Sequence, residues 1–416
     1  MPVIAIVSEY NPFHNGHFYQ IQKIKEQFPD PTVVSVMSGS LVQRGEPALF
    51  SKYDRAEIAV GNGVDAVFEL PSIYSNAPAN IFAFSAVNIM QKLSGIDYIC
   101  FGSECGDLAL LGFAAEKIMS EEFNSKLRET IKSNKNTSYP NNMYNLFCKL
   151  YGGEKAAVLN GSNNILAIEY IKALKNLNSN IIPLTIKRVG GDYNESAGYI
   201  RRYIAGRDDF NELRSLHAPC EKSNACTNLR RAEGAAPYIK NFMPEPAYKI
   251  SQELINNGKF TDIRSISSAI ISHMNRLDVK EISKFAEVPD CGEAHRIKKI
   301  SGGCFDYDTL VKKLGVKHNT TSSVKRMILN VFFGITKEMQ KFPPDFTVLL
   351  AADEKGKSFL NGIRKKTEIE IITKPADVDN NRIFEKNLFI DNACKLALFN
   401  KDGEINEIKR KPYVGK

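Results

Sequence analysis

A short segment near the N-terminus of the 416-residue chain concentrates the side chains best suited to chemistry. It runs Ser8-Glu-Tyr-Asn-Pro-Phe-His-Asn-Gly-His17 and contains two of the six histidines. His14 and His17 are three residues apart, so both imidazoles could donate hydrogen bonds to charge that builds up during phosphoryl or nucleotidyl transfer. Gly16 between them lacks a side chain and lets a flat purine approach the backbone. The spacing predicts a nucleotide site that activates a substrate with ATP.

The elements around this segment distinguish that chemistry from two ordinary surface histidines in a turn. A strand is expected over residues 2–7 and a helix from about Gly16 to Phe28. In open parallel sheets, ligands bind beyond the carboxyl end of the first strand, and a helix N-terminus there favours an anion. The chain has no Gly-x-x-x-x-Gly-Lys-Ser/Thr motif and no Gly-x-Gly-x-x-Gly motif after the strand, which argues against a P-loop and a standard dinucleotide fold.

The order of strand-like and helix-like segments predicts the fold class. Strands and helices alternate over the first ~200 residues, which is typical of an α/β, doubly wound parallel sheet. Beyond about residue 205 the chain is mainly helical, and a small C-terminal α/β unit follows. We predict an ATP-binding catalytic domain over residues 1–205 and a mainly helical region over residues 206–416, with the α/β element near residues 346–375. The strands are predicted at residues 2–7, 32–37, 65–70, 97–101, 181–187, 346–351 and 367–373.

Composition excludes several classes of protein. Hydrophobic residues make up 43% and charged residues 25%, as in ordinary globular proteins. No apolar run approaches the roughly 20 residues that span a bilayer, and the N-terminus lacks a basic signal region, so we expect a cytoplasmic protein. The eight cysteines form no Cys-x-x-Cys pair, which predicts neither a disulfide framework nor a protein metal centre. The net charge of +8 fits a polyanionic partner.

The chemistry-bearing residues resemble a known family. His14-Asn-Gly-His17 resembles the His-x-Gly-His signature of the nucleotidyltransferase superfamily, a Rossmann-like fold. The longer Ser8–His17 string resembles the bacterial tRNA(Met) cytidine acetate ligase family. Matching strings extend over nearly the whole chain: Met37–Pro47, Ser51–Ala56, Asp65–Pro71, Phe101–Glu104, Asn163–Leu166, Lys187–Val189 and Ile371–Lys374.

The resemblance implies a two-step ligation. ATP and acetate would give acetyl-adenylate and pyrophosphate. The acetyl group would then pass to N4 of the wobble cytidine, position 34, of elongator methionine tRNA, giving N4-acetylcytidine without acetyl-CoA. Mg2+ is expected as well, because superfamily members use it to screen the triphosphate.

The resemblance also implies the residues of the site. His14, His17 and Arg201 would be catalytic. Arg201 ends the string Ser196-Ala-Gly-Tyr-Ile-Arg, which resembles the second superfamily signature except that Gly198 stands where a hydroxyl residue is common. The resemblance implies a turn that opens a helix at Ser196, where the backbone N–H groups and Arg201 would hold the β- and γ-phosphates. The predicted ATP-binding residues are Val7, Ser8, Glu9, Tyr10, Asn11, Pro12, Phe13, His14, Asn15, Gly16, His17, Phe18, Tyr19, Gln20, Gly102, Asn163, Arg188 and Val189. A surface salt bridge at Arg188 and a helix N-cap at Asn163 remain the alternatives.

Other polar residues are predicted to contact the acceptor. Ser40, Gln43 and Arg44, together with Ser38, follow the second strand and could line an acceptor or acetate pocket. Lys52 and Arg55 could contact phosphate of ATP or tRNA. The basic residues proposed for a tRNA surface are Arg201, Arg202, Arg207 and, on the amphipathic helix 324–333, Lys325 and Arg326. Helix capping and solvated charge are the alternatives for all of them.

Two other functions remain open. The chain could be an adenylyltransferase that joins AMP to a small phosphorylated cofactor precursor. The ~200 additional residues with basic helices favour a macromolecular acceptor instead. It could also be a non-catalytic nucleotide- or RNA-binding module, against which the intact His14, His17 and Arg201 count.

Overall fold

The computed structural model describes residues 1–134, 137–188, 192–204, 239–315 and 320–415. The strands are β1 (Val3–Ser8), β2 (Thr32–Ser38), β3 (Leu41–Val42), β4 (Glu46–Pro47), β5 (Ala66–Leu70), β6 (Tyr98–Ser103), β7 (Ile182–Lys187), β8 (Phe346–Ala352), β9 (Glu370–Ile372) and β10 (Tyr413–Val414). The helices are α1 (Asn15–Gln27), α2 (Lys52–Val60), α3 (Ser72–Ser75), α4 (Ala79–Leu93), α5 (Leu108–Met119), α6 (Glu121–Ser133), α7 (Tyr139–Tyr151), α8 (Gly153–Ala156), α9 (Ser162–Asn176), α10 (Asp192–Ile204), α11 (Glu245–Asn256), α12 (Ser267–Arg276), α13 (Val279–Ile282), α14 (Cys291–Ser301), α15 (Tyr307–Leu314), α16 (Thr321–Phe333), α17 (Glu354–Ile363) and α18 (Arg382–Cys394).

The main sheet has the strand order β10-β8-β5-β2-β1-β6-β7, with β9 beside β8. Strands β5, β2, β1, β6 and β7 are parallel, and β1 lies between β2 and β6. The chain builds outward from β1 through β2 to β5 and then crosses back to β6 on the other side. The strand order therefore reverses beside β1, which confirms the predicted doubly wound α/β fold and places the switch point next to the His14 segment.

Helices cover both faces of this sheet because its central strands are apolar on both sides. All residues of β2 and β5 are buried. In β2, Val34 and Val36 pack into the core that contains α4 and α9, whereas Val33 and Met37 pack into the core that contains α1 and α2. Alternate residues of a strand point to opposite faces, so this near-continuous apolar run supports two cores at once.

The C-terminal strands differ from expectation in where they pack. Strands β8 and β9 occur where the sequence predicts them, but β8 pairs antiparallel with β5 and so extends the main sheet. Strand β9 and the short β10, which the sequence does not predict, flank β8. The predicted small α/β element near residues 346–375 is therefore joined to the main sheet through β8. Every residue of β8 is buried, and the strand covers an edge of β5 that would otherwise be open. The functional division at residue 205 stays a prediction.

Within the described ranges, no helix is long and apolar enough to cross a membrane. The expected cytoplasmic location stays a prediction.

Candidate active site

A cavity of about 510 Å³ opens beyond the carboxyl ends of β1 and β6, beside the start of α1. The loop after β1, the turn between β3 and β4, and helices α4, α9, α10 and α16 all contribute to its walls. The structure brings most of the predicted site residues together there: Val7, Ser8, Glu9, Tyr10, Asn11, His14, Gly16, His17, Tyr19, Gln20, Gln43, Arg44, Gly102, Asn163, Arg188 and Arg201.

Six predicted residues do not line this cavity: Pro12, Phe13, Asn15, Phe18, Ser38 and Ser40. Phe13 is buried beneath it, with its ring 4.9 Å from that of Tyr10. The Asn15 amide donates to the backbone carbonyl of residue 241 at 2.9 Å. The Ser40 N–H donates to a serine hydroxyl of α3 at 3.0 Å, behind the turn. Val189 lies outside the described residues.

Sequence reasoning missed other lining residues. Some lie in or beside the matched strings, which could have identified them: Phe101, Ser162, Leu166, Ile186, Lys187 and Ala197. The remainder are distant in sequence from those strings, and only the fold places them at the cavity: Pro78, Ala79, Phe82, Tyr170, Ser322 and Arg326.

His14 and His17 form a capping box at the N-terminus of α1. Nδ1 of His14 accepts a hydrogen bond from the Gly16 N–H at 3.0 Å. Nδ1 of His17 accepts one from the His14 N–H at 3.2 Å. A neutral ring that accepts at Nδ1 carries its proton on Nε2. Because the ring centroids are 3.8 Å apart, the capping arrangement gives two adjacent Nε2–H donors at the cavity.

Both histidines are neutral at physiological pH. Burial and, to a smaller extent, the nearby cations Arg188 and Arg201 together lower the pKa of His14 to about 3. Burial, followed by the proximity of His14 and Arg188, holds the pKa of His17 well below its ordinary range. The pair is thus suited to donating hydrogen bonds to phosphate oxygens as charge develops on them, without being protonated beforehand.

Two arginines bring positive charge to the same cavity. Arg201 lies in the last turn of α10, and its Nη1 donates to the Asn11 carbonyl at 2.5 Å. Arg188 follows β7, and its Nη1 donates to Oδ1 of Asn163 at 3.3 Å. Its Nε is buried and has no hydrogen-bond partner in the described structure, which leaves a charged donor for an anion. Burial lowers the pKa of Arg188.

Helix α10 begins earlier than predicted. It starts at Asp192, so Ser196 lies in its second turn instead of opening it. The Ser196 N–H falls within the intrahelical hydrogen-bonding pattern and is not one of the free donors at the N-terminus. The predicted phosphate cradle at Ser196 is therefore wrong, whereas Arg201 on the same helix does line the cavity.

Gly102 and Asn163 both lie against Arg188, and Asn163 is held by Glu104. The Glu104 carboxylate accepts hydrogen bonds from the Asn163 N–H at 3.0 Å, the Asn163 amide at 2.8 Å and the Asn164 N–H at 2.7 Å. Burial raises the pKa of Glu104, but these hydrogen bonds outweigh burial and lower it overall. Glu104, not Asn163, therefore caps the start of α9. A Cβ on Gly102 would lie 3.4 Å from Cγ of Arg188.

Lys52 and Arg55 do not contact phosphate. Lys52 is 4% exposed and pairs with Glu69 at 2.8 Å and Asp391 at 2.5 Å. Arg55 is fully buried and donates to the Glu9 carbonyl at 2.6 Å. Their predicted role is wrong, because both charges are used inside the protein. Lys52 pairs with carboxylates of β5 and α18, and Arg55 holds the loops that follow β1 and β2.

The two cations of α16 that are predicted to contact tRNA form ion pairs within the protein. Arg326 is 8% exposed and pairs with Glu287 at 2.7 Å. Lys325 pairs with Glu46 at 2.5 Å. Both cations are engaged by carboxylates, which supports a structural role, and their contact with tRNA stays a prediction. Arg202 is exposed, and its predicted tRNA contact is untested. Arg207 lies outside the described residues.

Across the ranges that the structure describes, no group of three or more His, Cys, Asp or Glu side chains is arranged to hold a metal ion. A divalent cation at this site would be bound mainly through the oxygens of a phosphate ligand and water, the mode that Mg2+ usually adopts.

Curated relatives and solved structures match nearly the whole chain. The chain is 34% identical to the tRNA(Met) cytidine acetate ligase of Caldanaerobacter subterraneus subsp. tengcongensis over 413 residues, covering 96% of each. It is 32% identical to the ligase of the same name from Acetivibrio thermocellus, covering 91% of this chain and 89% of that one.

The overall fold is shared with Thermotoga maritima TmcAL bound with alpha-thio ATP. The TM-score is 0.85 at 27% sequence identity, and the match covers 100% of this chain and 99% of that one. The apo form of the same protein matches with a TM-score of 0.85 at 26% identity. The model of the HIGH Nucleotidyl Transferase family matches residues 1–409. The chain therefore belongs to the HIGH nucleotidyl transferase family.

Proposed function

We propose that the protein is an ATP-dependent ligase that acetylates N4 of the wobble cytidine of elongator tRNA(Met), using acetate. The observation that carries the proposal is the cavity in which two Nε2–H donors, from His14 and His17, meet Arg188 and Arg201. This arrangement occurs in a chain 34% identical, over 96% of its length, to a ligase of that name.

In the first step, a carboxylate oxygen of acetate attacks the α-phosphorus of ATP. The bond between the α-phosphorus and the bridging oxygen breaks, and pyrophosphate leaves with that electron pair. His14 and His17 donate Nε2–H hydrogen bonds to the phosphate oxygens as charge moves onto them. Arg188 and Arg201 offset the negative charge of the triphosphate. Mg2+ brought in with ATP would supply further charge screening, beside the screening by Arg188 and Arg201.

In the second step, the cytidine N4 amine attacks the acetyl carbon of acetyl-adenylate. AMP leaves, and the amine loses one proton to give the N4-acetyl product. Reading one cytidine requires it to be unstacked and held by its edge. Gln43 and Arg44, in the turn between β3 and β4, also line the cavity, and we assign them to the acceptor or acetate pocket. Arg202, exposed on α10, is a candidate contact to tRNA phosphate.

The test combines purified protein, ATP, Mg2+, labelled acetate and an elongator tRNA(Met) transcript, followed by mass analysis of the tRNA nucleosides. We expect N4-acetylcytidine at position 34 and one AMP per acetyl group transferred. A transcript with uridine at position 34 is the matched control and should take up no label. Acetyl transfer without ATP, or AMP transfer to a small phosphorylated acceptor with no tRNA requirement, would exclude the proposal.

A further inference from the structure

The turn between β3 and β4 is held in place from inside the cavity. Residues 43–45 form this turn, and Gln43 and Arg44 both line the cavity. The Gln43 N–H donates to Oε1 of Glu9 at 2.8 Å, which ties the turn to the loop after β1. Arg44 is exposed, lines the cavity and has no ion-pair partner among the described residues.

A residue from the C-terminal half holds the other side of the turn. Nη1 of Arg326 donates to the Gln43 carbonyl at 2.9 Å. Its Nε and Nη2 donate to the two carboxylate oxygens of Glu287, both at 2.7 Å. This two-pronged pairing fixes the plane of the guanidinium. Both backbone polar groups of Gln43 are thus engaged, the N–H by Glu9 and the carbonyl by Arg326.

The turn also lies directly on the first residues of α16. Gly45 has φ +77°, and a Cβ there would lie 2.5 Å from the backbone nitrogen of Arg326. Only glycine permits this conformation at so close an approach. Glu46 next to it pairs with Lys325 at 2.5 Å and lies 3.6 Å from Nε of Arg201. The same helix therefore supports both the turn and a carboxylate beside Arg201.

We propose that Arg326 is a positioning residue for the carboxylic acid substrate. It acts through the Gln43 carbonyl, so that the Gln43 side chain and the Arg44 guanidinium face the carboxylate of acetate. The inference rests on the proposed function and assigns a further role within it. A short carboxylate needs a cation and an amide at fixed positions, because it offers little other surface to recognise. Arg326 supplies the rigidity that the exposed Arg44 lacks by itself.

The test removes the planar guanidinium of Arg326 and keeps its positive charge. In Arg326→Lys, one ammonium cannot reach both carboxylate oxygens and the Gln43 carbonyl. Arg296 is the matched control, because it also pairs with one glutamate through two bonds (2.8 and 2.6 Å) and donates to a backbone carbonyl (2.8 Å). It does not line the cavity. Acetate-dependent ATP–pyrophosphate exchange is measured against acetate and against ATP, together with the melting temperature.

We expect Arg326→Lys to raise KM for acetate by about 10-fold or more, since a small misplacement of a substrate-positioning group has large kinetic effects. KM for ATP should stay near the wild-type value, and Arg296→Lys should leave both constants unchanged at a similar melting temperature. Glu287→Gln loosens the guanidinium without removing it and should raise KM for acetate by less. This variant keeps the test available if Arg326→Lys does not fold.

Several results would overturn the inference. One is a KM for acetate that stays unchanged in both Arg326→Lys and Glu287→Gln, as it should in the Arg296→Lys control. Another is an equal rise in KM for ATP, which would make Arg326 a general support of the cavity. A wild-type protein with no acetate-dependent exchange would overturn the proposed function and this inference together. Normal wild-type exchange with unaffected variants would overturn only the role of Arg326.

Discussion

Replacing His17 separates the two tasks that the structure gives its ring. Nδ1 accepts from the His14 N–H at 3.2 Å and so caps α1, whereas Nε2–H is the donor left for phosphate. In His17→Ala both are lost. The cap contributes about 1 kcal/mol to stability, and loss of one donor to transition-state charge costs about 10²- to 10³-fold in kcat. In His17→Gln the side-chain oxygen can still reach back to the N-cap N–H, as glutamine does in capping boxes.

The two variants should therefore differ in stability and agree in rate. We expect His17→Ala to melt at a lower temperature than wild type, and His17→Gln to melt close to it. Acetate-dependent pyrophosphate exchange, measured well below either melting temperature, should be at least about 10²-fold slower in both. A wild-type rate in His17→Gln would show that the imidazole donor is not needed. A slow rate that tracks the folded fraction would assign His17 to capping alone.

Three further predictions follow from other contacts. Lys52→Met leaves two buried carboxylates without their cation and should lower the free energy of unfolding by about 3 to 5 kcal/mol in urea titrations. Lys126→Met removes an exposed pair and should change it little; equal effects would refute this account. Gly102→Ala places a Cβ 3.4 Å from an arginine side chain and should raise KM for ATP. Gly112→Ala, with open space around it on α5, should leave KM for ATP unchanged. The same KM for ATP in the two variants would count against crowding at the site. The His14 pKa of about 3 lies below the ordinary 6.5, so its contribution to stability is complete above pH 6.5 and is lost as pH falls towards 3. Wild type should thus lose melting temperature more steeply over that range than His14→Gln, and parallel curves would contradict the shift.

How much of the site the sequence could predict depended on distance along the chain. The strand, loop and helix around His14 follow one another directly, so their order alone placed the histidines at a helix N-terminus. Lys52 and Arg326 look like surface cations because nothing near them in sequence offsets their charge. The structure pairs Lys52 with Asp391, 339 residues away, and Arg326 with Glu287, 39 residues away. Such pairings depend on which elements pack together, and local patterns do not encode that.

The C-terminal strands show the same dependence. The apolar pattern predicted β8 and β9 correctly and missed the two-residue β10, but whether these strands would form a unit of their own depended on β5. The side of that strand away from β2 has unpaired backbone groups unless another strand covers it. Strand β8 covers that side with a register that runs from Ala66↔Ala352 to Phe68↔Leu349. A sequence read element by element gives no information on that partner.

These contacts bear on how acceptor recognition and catalysis are divided along the chain. Residues beyond 205 complete the sheet through β8, neutralise Lys52 through Asp391, and contact the cavity through Arg326. Without them, the first 205 residues would have an open edge at β5 and a buried lysine left with only Glu69. We therefore expect the second half to contribute to the active site itself as well as to any tRNA surface. In the proposed reaction, the helix that supports the Gln43 turn belongs to the same half as the predicted tRNA-binding region. Binding of the acceptor near α16 would then act on the turn that faces the carboxylate.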